Sequence, residues 1–142
     1  MYSKILLPID LSDRSSSESA SRKAIGIASL AESEIHVLSI LPDFGTAFVA
    51  EFFDDGHQSK ALHKLGETIQ AFVNDTFPEN VSVRPHVVHG SIYEEIIKAS
   101  KKLGCDLIIM GSHRPELSDY LLGPNAARVV RHSSVSVLVV RD

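Results

Sequence analysis

The chain has 142 residues, 44% of them apolar, and a formal net charge of −4. That length suits one domain over residues 1–142 with a substantial core, and the acidic balance, with no Lys/Arg-rich run, excludes nucleic-acid binding through a basic face. With a single Cys105, no signal-peptide core after Met1-Tyr2-Ser3-Lys4, and no apolar run near the ~20 residues of a membrane span, a soluble, cytoplasmic protein that makes no membrane contact is expected.

The first apolar run, residues 4–9, predicts a strand that ends on Pro8 and Asp10. Ser12-Asp13-Arg14-Ser15 follows as a helix start, and Ala20, Ala24, Ile27, Ala28 and Ala31 recur at helical spacing behind it. A second strand is predicted over 35–41. The connection 42–56 carries Phe44, Phe48, Phe52 and Phe53 near helical spacing. Two readings stay open for it: an amphipathic turn over the sheet's ligand end or against a partner, or a loop packed on its own core.

A second helical stripe, Ala61, Leu62, Leu65, Ile69, Phe72 and Val73, leads to a strand over 81–88. His89-Gly90-Ser91 reads as an ordinary capped turn into a third helix bearing Ile92, Ile96, Ile97 and Leu103, with a second helix N-terminus near the sheet's ligand end as the alternative. A strand over 106–111 ends in Gly111, a polar loop follows to Gly123-Pro124, and Asn125–His132 forms the last helix before a strand over 135–140. Runs such as Leu107-Ile108-Ile109-Met110 lack polar alternation, as strands buried on both faces do, so the pattern predicts a doubly wound α/β domain with a parallel sheet between helix layers. Ligands of such sheets sit beyond the carboxyl ends of the strands, where strand order reverses, and Asp10 and Gly111 end two of those strands. Pro85 places its strand at an edge. Val135–Val140, without Pro or charge, reads as the opposite edge and a pairing surface for a second copy, with an internal position as the alternative.

Gly111-Ser112-His113-Arg114, followed by Gly123 and a helix start, has the make-up of an anion-holding loop, because the first amides of a helix point outward unsatisfied. That implies a nucleotide ligand. Neither a P-loop nor a G-x-G-x-x-G fingerprint is present. Asp10 suits ribose hydroxyls or an adenine amine; capping of the first helix is its alternative role. His113 lies within the loop, in reach of a phosphate, and Arg114 brings a permanent forked charge suited to one. The seven histidines form no metal constellation, no G-x-S-x-G nucleophile occurs, and no catalytic residue is assigned. Cys105 reads as a buried filler.

Four stretches together resemble the universal stress protein (UspA-like) family over essentially the full chain. They are Lys4-Ile5-Leu6-Leu7-Pro8-Ile9-Asp10, Gly90 before the third helix, the loop from Gly111 to Asn125, and His132 through Val135-Ser136-Val137-Leu138-Val139-Val140-Arg141. The resemblance implies a five-stranded parallel sheet of order 3-2-1-4-5, adenine nucleotide alpha hydrolase-like, and a homodimer through the last strand. In one branch it also implies ATP held by G-x2-G-x9-G-[ST]. On that pattern Gly111 matches the first glycine and Gly123 the last, Arg114 stands at the middle glycine, the spacing is one residue shorter, and Pro124 replaces Ser or Thr. Pro124 lacks an N–H but favours a first helical position, from which Asn125 and Ala126 present theirs. Adenine would lie near Ser39 and Ile40, with Pro8 and Asp10 beside it.

The expected function is therefore a stress-response module binding ATP, ADP or AMP, with or without Mg²⁺, and hydrolysing it slowly at most. Two rivals remain: an interaction module of the same fold that has lost the nucleotide, and a Mg²⁺-dependent ATPase using Asp10 and His113.

Overall fold

Apolar strands and amphipathic helices alternate along the chain, and the computed structural model, which describes residues 1–42, 55–112 and 123–141, stacks them in three layers. In chain order the elements are β1 (Lys4–Pro8), α1 (Arg14–Ala31), β2 (Glu34–Pro42), α2 (Asp55–Thr76), β3 (Val83–Gly90), α3 (Ile92–Leu103), β4 (Leu107–Gly111), α4 (Pro124–His132) and β5 (Ser136–Val140). The sheet is parallel throughout, in the order β3-β2-β1-β4-β5. Both the doubly wound architecture and the strand order are as expected. The segment holding Phe44, Phe48, Phe52 and Phe53 lies outside the described residues, as do His113 and Arg114.

Alternation along the central strands divides the core. Ile5, Leu7 and Ile109 face α1 and α2, where Ala20, Ala24, Ala28, Ile69 and Phe72 pack on them. Leu6, Ile108 and Met110 face α3 and α4, against Ile96, Ala126 and Val129. Ile5, Leu6, Leu7, Ile108 and Ile109 are all at 0% exposure, and each such side chain contributes roughly 1.5–3 kcal/mol of burial. The alanine stripe of α1 lets that helix lie close to the sheet.

Local chemistry ends the elements. Asp13 caps α1, its side chain accepting the Ser16 N–H. At the far end Glu32 turns left-handed, with φ 53°, and its N–H donates to the Ala28 carbonyl. At the amino ends of the strands, Asp106 accepts the N–H groups of Ser3 (3.0 and 3.1 Å) and Lys4 (3.0 Å), tying the start of β1 to the start of β4. Partial burial opposes ionisation of that carboxyl, but the Ser3 and Lys4 amides outweigh it and hold its pKa below the usual carboxylate value.

β3 and β5 form the two borders of the sheet. Pro85 sits opposite Val37, with the free border taking up its missing donor. Among the described residues, no helix is long and apolar enough to cross a membrane.

Candidate functional site

Strand order reverses between β1 and β4: from β1 the chain steps to β2 and β3 on one side, then to β4 and β5 on the other. Register then fixes which residues reach the rim together. Pro8 lies opposite Leu38 and Leu6 opposite Ile108, so Asp10, Ile40 and the end of β4 leave the sheet at about one level. The Ile9 N–H donates to the Leu38 carbonyl at 2.9 Å, which extends the alignment past the last strand pair.

Asp10 is held by its backbone. Ser17 Oγ donates to the Asp10 carbonyl at 2.8 Å, and the Asp10 N–H donates back to Ser17 Oγ at 3.1 Å. The exposed carboxylate accepts the Ser12 N–H at 2.9 Å and the Ser12 hydroxyl at 2.5 Å, closing a small side-chain turn. Of the two roles open for Asp10, capping of α1 belongs to Asp13 instead.

Gly111 closes the other side of the rim. A Cβ there would strike Ser16 Oγ and come within 3.3 Å of the Ser16 carbonyl. Ser16 Oγ also donates to the Ser112 carbonyl at 3.4 Å, and the Ser112 N–H donates to the Val140 carbonyl at 2.8 Å, so α1, β4 and β5 meet at this point. The first reason for a glycine is thus close approach of α1.

α4 starts with Gly123 extended (φ −62°, ψ 161°) as its N-cap and Pro124 in its first turn, without a side-chain cap. The Ala127 N–H returns to the Gly123 carbonyl at 3.0 Å. In a helix begun this way, the amides of Asn125 and Ala126 have no intrahelical acceptor. Buried Ala126 packs in one cluster with Leu38 and Met110, which sets the helix start beside the ends of β2 and β4. The structure thereby brings Pro8, Asp10, Ile40, Gly111, Gly123, Asn125 and Ala126 to one end of the sheet.

Other candidates do not join this constellation. At the carboxyl end of β3, where Gly90 pairs with Pro42 of β2, Gly90 has φ +150° and a Cβ there would meet the Glu95 carboxylate at 2.6 Å; Ser91 gives α3 no side-chain cap, and Glu94 and Glu95 place negative charge in its first turn, which disfavours an anion at this second helix start. Burial pushes the Cys105 thiol up to about 11, which leaves it uncharged and unreactive at neutral pH. A groove of about 540 Å³ along α2, lined by His63, Gly66, Glu67, Gln70, Ala71 and Asn74, includes none of the expected site residues. Among the described residues, no group of three His, Cys, Asp or Glu side chains could hold a metal ion.

Sequence reasoning missed Ser16 and Ser17, which brace the rim from α1, and the contact of His36 with His86 across β2 and β3. The Ser-rich start of α1 was the available signal for the first pair. No signal existed for the second.

Comparison with known proteins agrees with this fold. The family model described as the universal stress protein family matches residues 1–141. Universal stress protein G of Shigella flexneri is 32% identical over 143 residues, covering 99% of this chain and all of that protein. Universal stress protein MJ0577 of Methanocaldococcus jannaschii is 27% identical over 157 residues, covering 99% of this chain and 96% of that protein. The solved MJ0577 structure superimposes with a TM-score of 0.84 at 29% identity, covering 100% of this chain and 97% of that one. A universal stress protein in complex with cAMP, at 21% identity and a TM-score of 0.62, shares the fold over 99% of this chain and 97% of its own. Family match, full-length relatives and shared fold agree: the chain belongs to the universal stress protein family.

Proposed function

We propose that this chain binds ATP or a related adenine nucleotide, with or without Mg²⁺, at the carboxyl ends of β1, β2 and β4, and serves as a stress-response regulatory module. The observation that carries the reading is one rim holding an exposed carboxylate at Asp10, a glycine-ended strand at Gly111 and the uncapped start of α4 after Gly123. In this reading Asp10 accepts from the ribose or the adenine amine, Pro8 and Ile40 flank the base, and the Asn125 and Ala126 amides meet phosphate. Gly111 lets the phosphates pass, while Arg114 and His113 supply the charge that a −4 chain otherwise lacks at that loop. Likeness in fold to a family structure carrying cAMP supports an adenine ligand over other anions.

Asp10 already accepts two hydrogen bonds from Ser12, which suits an acceptor better than a general base. Hydrolysis is therefore slow at most, and the mechanism is a ligand-biased conformation. The reading includes a homodimer paired through Val135–Val140, where Leu138 is 37% exposed on the border strand, and a cytoplasmic location.

Calorimetric titration with ATP, ADP, AMP and cAMP, each with Mg²⁺, tests the ligand. Saturable binding that weakens at least about tenfold, or 1.4 kcal/mol, in Arg114→Ala is expected. Unchanged affinity in that variant would remove Arg114 from the site. Binding of none of the four would favour an interaction module of this fold, whereas Mg²⁺-dependent turnover abolished by Asp10→Asn would favour an ATPase.

A further inference from the structure

His36 is buried to 4% exposure on β2, one strand in from the border, and its ring stacks on His86 of border strand β3 with centroids 5.0 Å apart and planes at 27°. His36 lies opposite Arg84 and Leu38 opposite His86, so the two histidines are diagonal neighbours on the face covered by α3 and α4. Nδ1 of His36 and Nε2 of His86 are 2.8 Å apart, a hydrogen-bond distance that requires one proton between two nitrogens. On the other side of the ring, Glu34 Oε1 stands 2.6 Å from His36 Nε2. That approach is off the N–H direction, which leaves His36 Nε2 the buried side-chain atom without an aligned hydrogen bond among the described residues.

We propose that this pair, backed by Glu34, is a proton-operated latch that holds border strand β3 on β2 and releases it in mild acid. With both rings neutral, the carboxylate selects the tautomer of His36 protonated on Nε2, and Nδ1 accepts from His86 Nε2–H. One proton between the facing nitrogens is tolerated, because the ring that carries it donates to the other. A second is not: two N–H donors would then point at each other across 2.8 Å. The groups acting on His86 are His36 and Glu34 from β2, Arg84 on its own strand and Lys102 from α3. Only Glu34 favours the charged ring, and it is shared with Arg84, whose Nε lies 3.7 Å from Oε2. Burial first, and then the charges of His36, Arg84 and Lys102, hold the His86 pKa below its ordinary 6.5.

The sign follows from proton counting. Below pH 6.5 the released strand binds a proton that the docked strand refuses, so opening grows as pH falls. The inference stands apart from the nucleotide reading, since neither histidine belongs to the rim.

Hydrogen exchange of the β3 amides, corrected for intrinsic rates and followed from pH 7.5 to 5.0, reads the latch. The expected result is an opening equilibrium that rises by up to about tenfold per pH unit below about 6.5 and is flat in His86→Gln, which keeps a polar side chain but cannot titrate. The same profile in both proteins would overturn the proposal. Imidazole NMR on the unaltered protein decides independently of the variant's folding. His86 should titrate below 6.5 with a linked change in the His36 ring, and a His86 ring titrating at or above 6.5, or without that link, would overturn it.

Discussion

Under the proposed reading, Gly111 answers two demands at one position. The family pattern asks for a glycine against phosphate, but Ser16 already fills the space a Cβ would need. We therefore predict that Gly111→Ala loses about 1–3 kcal/mol in the absence of any nucleotide, measured by urea unfolding; equal stability would show that α1 can yield and that the glycine serves ligand alone. Glycine identity was legible in the sequence, yet its first cause was not, because the approach of α1 depends on packing 95 residues away in the chain. His36 and His86 were still less legible, since their contact rests on the register of two parallel strands joined by a long crossover. Cys105 is the contrary case: a small residue between Gly104 and an apolar strand is a filler on sight, and it is buried. Its thiol, pushed up to about 11, should react with iodoacetamide at pH 7.5 at least about a hundredfold more slowly in folded than in urea-unfolded protein. A native rate matching the unfolded one would mean that the β4 end opens freely.

At the scale of elements, apolar runs flanked by turn residues carried most of the information. The strand expected over 81–88 begins at Val83, because the Val81 N–H is taken by the Pro78 carbonyl at 3.1 Å in the preceding turn. The last helix begins at Pro124, one residue earlier than expected, in keeping with the favour shown to proline at a helix start. Edges were readable from Pro85 and from the uncharged last strand, since a border tolerates the first and leaves the second to be covered. If β5 pairs with a second copy, Leu138→Glu should shift the protein from dimer to monomer in analytical ultracentrifugation with its far-ultraviolet circular dichroism unchanged. A variant that stays dimeric would move the interface elsewhere.

Across the whole molecule, burial of β1 and β4 between two helix layers leaves the strand ends as the natural place for polar function, and Asp10, Gly111 and the start of α4 converge there. Layering was legible because central strands without polar alternation have few other homes; the particular strand order was an implication of family resemblance. If the rim binds the proposed nucleotide, binding must stabilise the fold by mass action, and a ligand at ~100 times its dissociation constant adds roughly 2.7 kcal/mol. Thermal unfolding of nucleotide-free protein with and without excess ATP and Mg²⁺ should accordingly show a rise on the order of 5–10 °C, cut by about half or more in Arg114→Ala at the same ATP concentration. An unchanged midpoint with ATP, ADP and AMP alike would mean that Pro124 and the shortened loop have closed the site, and that this chain acts without a nucleotide.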